Sequence, residues 1–124
     1  MDQLVEKCFI GKWRSFKIFK NSGRVHFNNS HNFIQLVFNP DRVLTIKSYS
    51  EGLTKNIAET DRWTIVFDNK RHYIDSKTGK FRYEVITVNH TVMVLLDVAS
   101  SDKIFFTKDE HWQNFLQSNK HELL

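Results

Sequence analysis

Cysteine, proline and glycine are scarce in this chain of 124 residues. Cys8 is the single cysteine, Pro40 is the single proline, and there are four glycines. One cysteine cannot form an intrachain disulfide, so the fold must depend on a packed core, and the free thiol fits a reducing compartment. So little proline and glycine excludes collagen-like and low-complexity chains. Because Cys8 has no evident acid–base partner, we expect a small buried side chain there and not a reactive thiol.

Long apolar runs and a strong charge of one sign are also missing. Residues 1–12 carry acids and no long apolar run, which predicts neither a signal peptide nor a transmembrane helix. We therefore expect a cytoplasmic protein without membrane insertion. The net charge of +4, from 18 basic and 14 acidic side chains, favours anions only mildly and does not indicate nucleic acid as a partner.

The motifs of common catalytic and metal sites are absent as well. The six histidines do not occur at metal-ligand spacings, and there is no nucleophile elbow, phosphate loop or dinucleotide fingerprint. His26 and His31 share a long loop, where solvated side chains are expected and not a metal pair. Asp61, Asp68 and Glu84 are carboxylates, but nothing in the sequence brings two of them together. The sequence therefore predicts no catalytic residue, no metal and no cofactor.

Aromatic residues, by contrast, are abundant, with eleven Phe, three Trp and three Tyr. Together with β-branched residues they form short runs that polar turns separate, which is typical of an all-β domain. The predicted strands cover residues 11–19, 33–38, 42–49, 57–67, 71–75, 82–88, 92–98 and 103–107.

Tight Asn- and Asp-rich turns alternate with longer segments between these strands. The tight turns fall at 39–41, 68–70 and 89–90, and the longer segments at 20–32, 50–56, 76–81 and 99–102. In an up-and-down meander alternate connections lie at the same end, so the tight turns should close one end and the long loops surround the other. Closure removes exposed strand edges. The sequence thus predicts one domain over residues 1–124, an eight-stranded antiparallel up-and-down β-barrel.

Two helices complete the predicted architecture. Residues 107–110 (Thr-Lys-Asp-Glu) form a capping-box pattern, and Trp112, Phe115 and Leu116 follow at helical spacing. This pattern predicts a C-terminal helix packed outside the barrel, over the strand at 92–98 that is apolar on both faces. A helix that binds a protein partner is the alternative. A short N-terminal helix is expected to bring three side chains under the closed end: Leu4, Val5 and Cys8.

Several short motifs occur in a recognisable order. Gly11-Lys12-Trp13 opens the first strand, and the segments 38–45, 63–69 and 83–96 follow. From residue 9 to 107 this order resembles small bacterial lipocalin-like domains of the calycin group. In that family the G-x-W tryptophan plugs the closed end of the barrel, beneath a basic side chain near the end of the last strand. The resemblance implies these roles in barrel closure for Gly11, Trp13 and Lys108, although arginine is commoner than lysine at the last position.

Inward-facing residues near the open end are the candidates for a ligand site. Lys17 has the same parity as Trp13, so it should face the interior if the first strand is unbroken, and there it would anchor a carboxylate. The alternative is that the rings simply fill the barrel, because small eight-stranded barrels can be packed solid. The predicted ligand-binding residues are Lys17, Phe33, Ser48, Trp63, Ile65 and Tyr83.

Three functional hypotheses follow from the sequence. The leading one is non-enzymatic binding of a small hydrophobic or amphipathic molecule in a lipocalin-like barrel, which predicts a cavity of roughly a few hundred Å³ with aromatic and polar walls. The second is a solid barrel that acts as a protein-interaction module, which predicts an exposed apolar patch. The third is an enzyme with convergent titratable groups at the open end.

Overall fold

Within the residues that the structure describes, one N-terminal helix and nine antiparallel strands form the fold. The structure, a computed structural model, describes residues 2–50 and 57–115. The elements are α1 (Asp2–Phe9), β1 (Gly11–Phe19), β2 (Val25–Phe27), β3 (Phe33–Phe38), β4 (Val43–Tyr49), β5 (Ile57–Asp68), β6 (Arg71–Ser76), β7 (Arg82–Val88), β8 (Val92–Asp97) and β9 (Lys103–Lys108). A short 3-10 helix at Asp109–His111 leads into helical residues 112–115.

The strands close into a barrel because the first and last long strands pair with each other. The sheet order is β2-β1-β3-β4-β5-β6-β7-β8-β9, and β1 also pairs with β9, from Trp13 opposite Lys108 to Phe19 opposite Lys103. Eight of the nine strands form the closed barrel, and β2 is an extra strand on the second half of β1. The predicted eight-stranded antiparallel up-and-down barrel is therefore confirmed. The extra strand β2 was not predicted.

Because successive strands run in opposite directions, their connections lie at two different ends of the barrel. The β3–β4, β5–β6 and β7–β8 connections lie at the end where β1 begins, next to α1, and we call this end the base. The other connections lie at the opposite end, which we call the mouth. The tight turns thus lie at the base and the longer connections at the mouth, as the sequence indicated.

The core consists of the inward-facing side chains of the barrel and Phe9 of α1. Phe9 is fully buried, with its ring centre 5.6 Å from that of Phe38 and 6.3 Å from that of Trp63. Each large apolar side chain buried in this way contributes roughly 1.5–3 kcal/mol. Phe9 thus occupies the place beneath the barrel where Cys8 was expected; Cys8 is only half-buried, and the side chains of Leu4 and Val5 lie outside the described residues. The core comprises Phe9, Trp13, Ile18, Leu36, Phe38, Leu44, Trp63, Ile74, Tyr83, Met93, Leu95, Ile104 and Phe106.

The C-terminal segment packs against the outside of the barrel, as predicted. Trp112 is buried, donates its indole N–H to the Ser15 carbonyl oxygen at 3.0 Å and contacts the ring of Phe33 at 5.1 Å between centres. The ring of Phe115 lies 4.6 Å from that of Phe16. These contacts fix the segment on β1 and β3, whereas the sequence analysis expected it over β8. Leu116, the third residue of the predicted apolar stripe, lies outside the described residues.

The predicted capping box at residues 107–110 is wrong. Thr107 belongs to β9, and its hydroxyl donates to the Thr91 carbonyl oxygen at 2.8 Å instead of capping a helix. Lys108 precedes the 3-10 helix and makes no side-chain capping bond. The segment is held instead by an ion pair between Arg14 and Asp109, with the Arg14 guanidinium over the rings of Phe33 and Trp112. Among the helices of the described residues, none is long and apolar enough to cross a bilayer.

Candidate ligand site

Trp13 and Lys108 fill the base of the barrel. Trp13 is fully buried, and its indole N–H donates to the Phe9 carbonyl oxygen at 2.8 Å. The Lys108 ammonium donates to the Ile10 carbonyl oxygen at 2.6 Å and lies 4.3 Å from the centre of the Trp13 ring. Burial lowers the pKa of Lys108 from its ordinary value, against the opposing influence of Glu110 and Cys8. Side chains therefore occupy this end of the barrel.

A β-bulge in β1 changes the direction of Lys17. The register between β1 and β9 shifts between Ser15 and Lys17, so Phe16 is the extra residue. Beyond the bulge Lys17 faces outward, with its ammonium 5.1 Å from the ring centre of Phe19 and 4.7 Å from that of Phe105. The expectation of an inward Lys17 required an unbroken strand, and that condition does not hold. Lys17 therefore does not anchor a carboxylate inside this barrel.

Phe33 also lies on the outer face of its strand. Its ring stacks on Tyr49 at 4.5 Å between centres and packs beneath Trp112. The inward residue next to it is Ile34, which packs against the core and is paired with Ser48 of β4. Ser48 is thus an inward-facing residue of the mouth, whereas Phe33 contributes to the barrel from outside.

Trp63, Ile65 and Tyr83 are part of the packed interior. Trp63 and Tyr83 belong to the core, and Ile65 packs against it. Burial raises the pKa of the Tyr83 hydroxyl above its ordinary value, and the negative charges of Asp97 and Glu59 raise it further. In this region the predicted alternative of rings filling the barrel describes the structure better than a wide cavity.

A cleft of about 260 Å³ opens at the mouth, and we call it the mouth cleft. Its floor is formed by the inward side chains Ile18, Ile34 and Ser48. Its rim combines rings and polar groups from β2, from the loop on either side of it and from the ends of β3 and β4. The rim residues are Lys20, His26, Asn28, Asn32, Phe33, Tyr49 and Ser50.

Asn28 is the most deeply buried polar residue of the mouth cleft. Only 5% of its surface is exposed, and its backbone N–H donates to the Phe16 carbonyl oxygen at 3.1 Å. Its side-chain oxygen has no hydrogen-bond partner among the described residues. An unpaired buried amide oxygen is costly, so this position favours a bound donor group.

Of the predicted ligand-binding residues, the structure brings Phe33 and Ser48 to the mouth cleft. The sequence analysis missed Ile18, Ile34 and Asn28. Counting back by twos from the buried Phe38 would have selected Ile34 instead of Phe33. Asn28 gave no signal, because polar residues are ordinary in a loop rich in Asn and Ser.

Comparisons with known proteins do not assign this chain to a family. No family model matches the chain, and no curated protein matches it significantly in sequence. The closed eight-stranded antiparallel barrel is compatible with a lipocalin-like fold. Among residues 2–50 and 57–115, no group of three or more His, Cys, Asp or Glu side chains is arranged to hold a metal ion.

Proposed function

We propose that this chain is a lipocalin-like barrel that binds a small amphipathic molecule at its mouth, without catalysing a reaction. The observation that carries this proposal is the mouth cleft, in which apolar inward side chains lie beneath a polar and aromatic rim. Such a combination is typical of small-molecule sites, where apolar walls supply affinity and a few polar groups fix orientation.

The packing of the barrel limits the size and depth of this ligand. The core below Ile18 and Ile34 is filled by large side chains, so the ligand would rest in the mouth and not deep in the interior. A cleft of about 260 Å³ is below the usual range for drug-sized ligands, roughly 300–1,000 Å³. The ligand would therefore be small, with its apolar part on Ile18 and Ile34.

Asn28 and Ser48 would recognise the polar end of the ligand. A ligand N–H or O–H at the Asn28 oxygen would satisfy an acceptor that has no partner in the described structure. Leaving such a group unpaired costs roughly 1–3 kcal/mol, part of which a bound donor would recover. The Ser48 hydroxyl, on the floor of the same cleft, can both donate and accept.

Binding can be tested with three probes that share one chain and differ in the head group: octanol, octylamine and octanoate. Native mass spectrometry of the freshly purified protein should show a co-purified small molecule or a one-to-one complex with an added probe. In ¹H–¹⁵N spectra the amide signals of Ile18, Asn28 and Ile34 should move on titration. If none of the probes moves these signals and no small molecule co-purifies, the proposal is wrong.

Substitution of Ser48 provides the matched test. S48L places a larger side chain on the cleft floor and should weaken probe binding at least about tenfold. The control is T45L, on the same strand but directed to the outer face, where Thr45 pairs with Thr60. Equal affinities of the two variants would contradict binding in the mouth cleft.

The second function to consider is a protein-interaction module. Phe19, Val25 and Phe27 lie close together where β1 pairs with β2, and each is more than one third exposed. Exposed apolar residues that cluster in this way are typical of interaction surfaces. F27S should then abolish the binding of a protein partner and leave the binding of the octyl probes unchanged.

A further inference from the structure

A second cleft, of about 330 Å³, lies beside the middle of β5, and we call it the β5 cleft. Residues 57–62 of β5 pair with β4, and residues 63–68 pair with β6. Where β5 changes partner, the Trp63 backbone N–H donates to the Arg42 carbonyl oxygen at 2.9 Å. The Lys77 backbone N–H donates to the Arg62 carbonyl oxygen, also at 2.9 Å. These two bonds bring distant parts of the chain together around the cleft. Its lining residues are Arg42, Arg62, Trp63, Thr64 and Lys77.

Three of these lining residues are cations, and only one of them has an acidic partner among residues 2–50 and 57–115. Arg42 pairs with Glu6 of α1 at 2.7 Å, and its guanidinium carbon lies 5.2 Å from the centre of the Trp63 ring. Arg62 and Lys77 form no ion pair within the described part of the chain. Positive charges gathered in one concavity concentrate a field that attracts anions.

The acid next to this cluster in sequence is already engaged. Asp61 accepts hydrogen bonds from the backbone N–H and the hydroxyl of Thr78. The same hydroxyl bond is the main reason that the pKa of Asp61 lies below its ordinary value. Its other oxygen accepts the backbone N–H of Arg62 at 2.8 Å. The carboxylate thus has partners of its own and forms no ion pair with the Arg62 guanidinium or the Lys77 ammonium.

Trp63 adds an apolar wall and a donor without a partner. Its side chain is 3% exposed, and its indole N–H has no acceptor among the described residues. Trp13 and Trp112, by contrast, donate to carbonyl oxygens at 2.8 and 3.0 Å. A ring in the same cleft as Arg62 and Lys77, which have no acidic partner among the described residues, suits a ligand that has both a flat apolar part and a negatively charged group.

We infer that the β5 cleft binds a small organic phosphate. Its phosphate group would be held by Arg62, Lys77 and Arg42, with the apolar part of the ligand against Trp63. A phosphate monoester carries close to two negative charges at neutral pH, roughly −1.5 to −2, which matches three cations and one acid better than a monocarboxylate does. The forked donors of arginine also fit phosphate oxygens. This inference does not depend on the mouth cleft, because the two clefts share no lining residue.

The test uses the full chain and phenyl phosphate as the probe. The three indole N–H signals, assigned with W13F, W63F and W112F, report on separate parts of the molecule. Phenyl phosphate should move the Trp63 signal in a saturable way and leave those of Trp13 and Trp112 in place. Benzoate, with one charge, should bind at least about tenfold more weakly, and phenol should not bind. Equal affinity for benzoate, or no saturable shift of Trp63, would overturn the inference.

A pair of double variants separates the site from general attraction by a positive protein. R62Q/K77Q removes two cations from the β5 cleft, and R24Q/K80Q removes two cations that do not line it. The first variant should bind phenyl phosphate at least about tenfold more weakly, and the second should change the affinity less than about threefold. Unchanged Trp13 and Trp112 signals would show that each variant is folded. An equal loss in both variants would mean that only overall charge attracts the phosphate.

Discussion

Gly11 and Lys108 are in contact at the base of the barrel, where a side chain at position 11 would displace the end of the lysine side chain. The backbone of Gly11 has a φ of +130°, which residues with a side chain rarely adopt. A β-carbon placed there would lie 2.8 Å from the Lys108 ammonium nitrogen. Glycine at this position thus allows the lysine to reach the Ile10 carbonyl oxygen and to cover Trp13.

G11A should therefore lower the free energy of unfolding by about 2 kcal/mol, since both backbone strain and the displaced lysine contribute. The measurement is urea denaturation of G11A, K108M and the double variant. In the K108M background the alanine should cost less, because the ammonium group is no longer in its way. Strict additivity of the two changes would show that the contact with Lys108 contributes nothing.

Residue-scale prediction from sequence succeeded where a strand is regular and failed where it is not. The family resemblance predicted that Trp13 lies inside the base of the barrel, and period-two alternation placed Ser48 on the same face of its strand as Leu44 and Ile46; both positions agree with the structure. The same reasoning misplaced Lys17, because the bulge at Phe16 adds one residue to β1. This bulge has no glycine or other sequence mark. It is explained only in three dimensions, where the ring of Phe16 packs against Phe105 and Phe115.

At the scale of elements, the C-terminal segment covers an aromatic surface on β1 and β3. Trp112 is its anchor, because its ring is buried against Phe33 and its indole N–H is bonded to Ser15. W112A should lower the free energy of unfolding by about 3 kcal/mol, from lost packing and an unpaired carbonyl oxygen. The control is Q113A, at an exposed position of the same turn. Chemical denaturation of the two variants measures the difference, and a loss below about 1 kcal/mol in W112A would contradict the anchoring role.

The elements that sequence patterns predicted best are the long barrel strands. The bounds predicted for β1, β3 and β7 agree with the structure, because runs of apolar and β-branched residues end at clear polar turns. Strand β2 was missed because it has only three residues, all of them exposed, within a polar connection. It forms by pairing with β1, a long-range interaction that local patterns do not contain.

At the scale of the whole molecule, the ionisation of Tyr83 makes the free energy of unfolding fall at alkaline pH. The folded protein holds the pKa of this hydroxyl above its ordinary value of 10.0, mainly through burial. Below pH 10 the group is neutral in both the folded and the unfolded chain, so its contribution is fully present. Above about pH 10 only the unfolded chain releases the proton, and stability is lost as the pH rises toward the folded pKa.

Y83F removes this ionisation, so the unfolding free energy of the variant should fall less steeply between about pH 9.5 and 11.5 than that of the wild type. Because other groups also titrate in this range, the quantity to compare is the difference between the two proteins at each pH, measured by urea denaturation. A difference that stays constant across this range would contradict the raised pKa of Tyr83.

The whole-molecule architecture was predictable from sequence to a greater extent than its binding surfaces. Barrel closure follows from many alternating strands that cannot leave their edges exposed. The β5 cleft, in contrast, combines Arg42, Arg62 and Lys77, which are 20 and 15 positions apart along the chain. Only the register of β5 with its two neighbours brings these cations together, so no local motif could have indicated the site.

The antiparallel pairing of β1 with β9 also determines how the molecule would respond to a mechanical load. Trp13 is opposite Lys108 at the base, so a force that separates these two positions acts on the outermost pair of the two strands. Because interstrand hydrogen bonds in antiparallel pairs lie perpendicular to the strands, this force would break them in succession, as in a zipper, and not all at once in shear. A barrel with a well-packed interior would thus open under a modest force that pulls β1 away from β9.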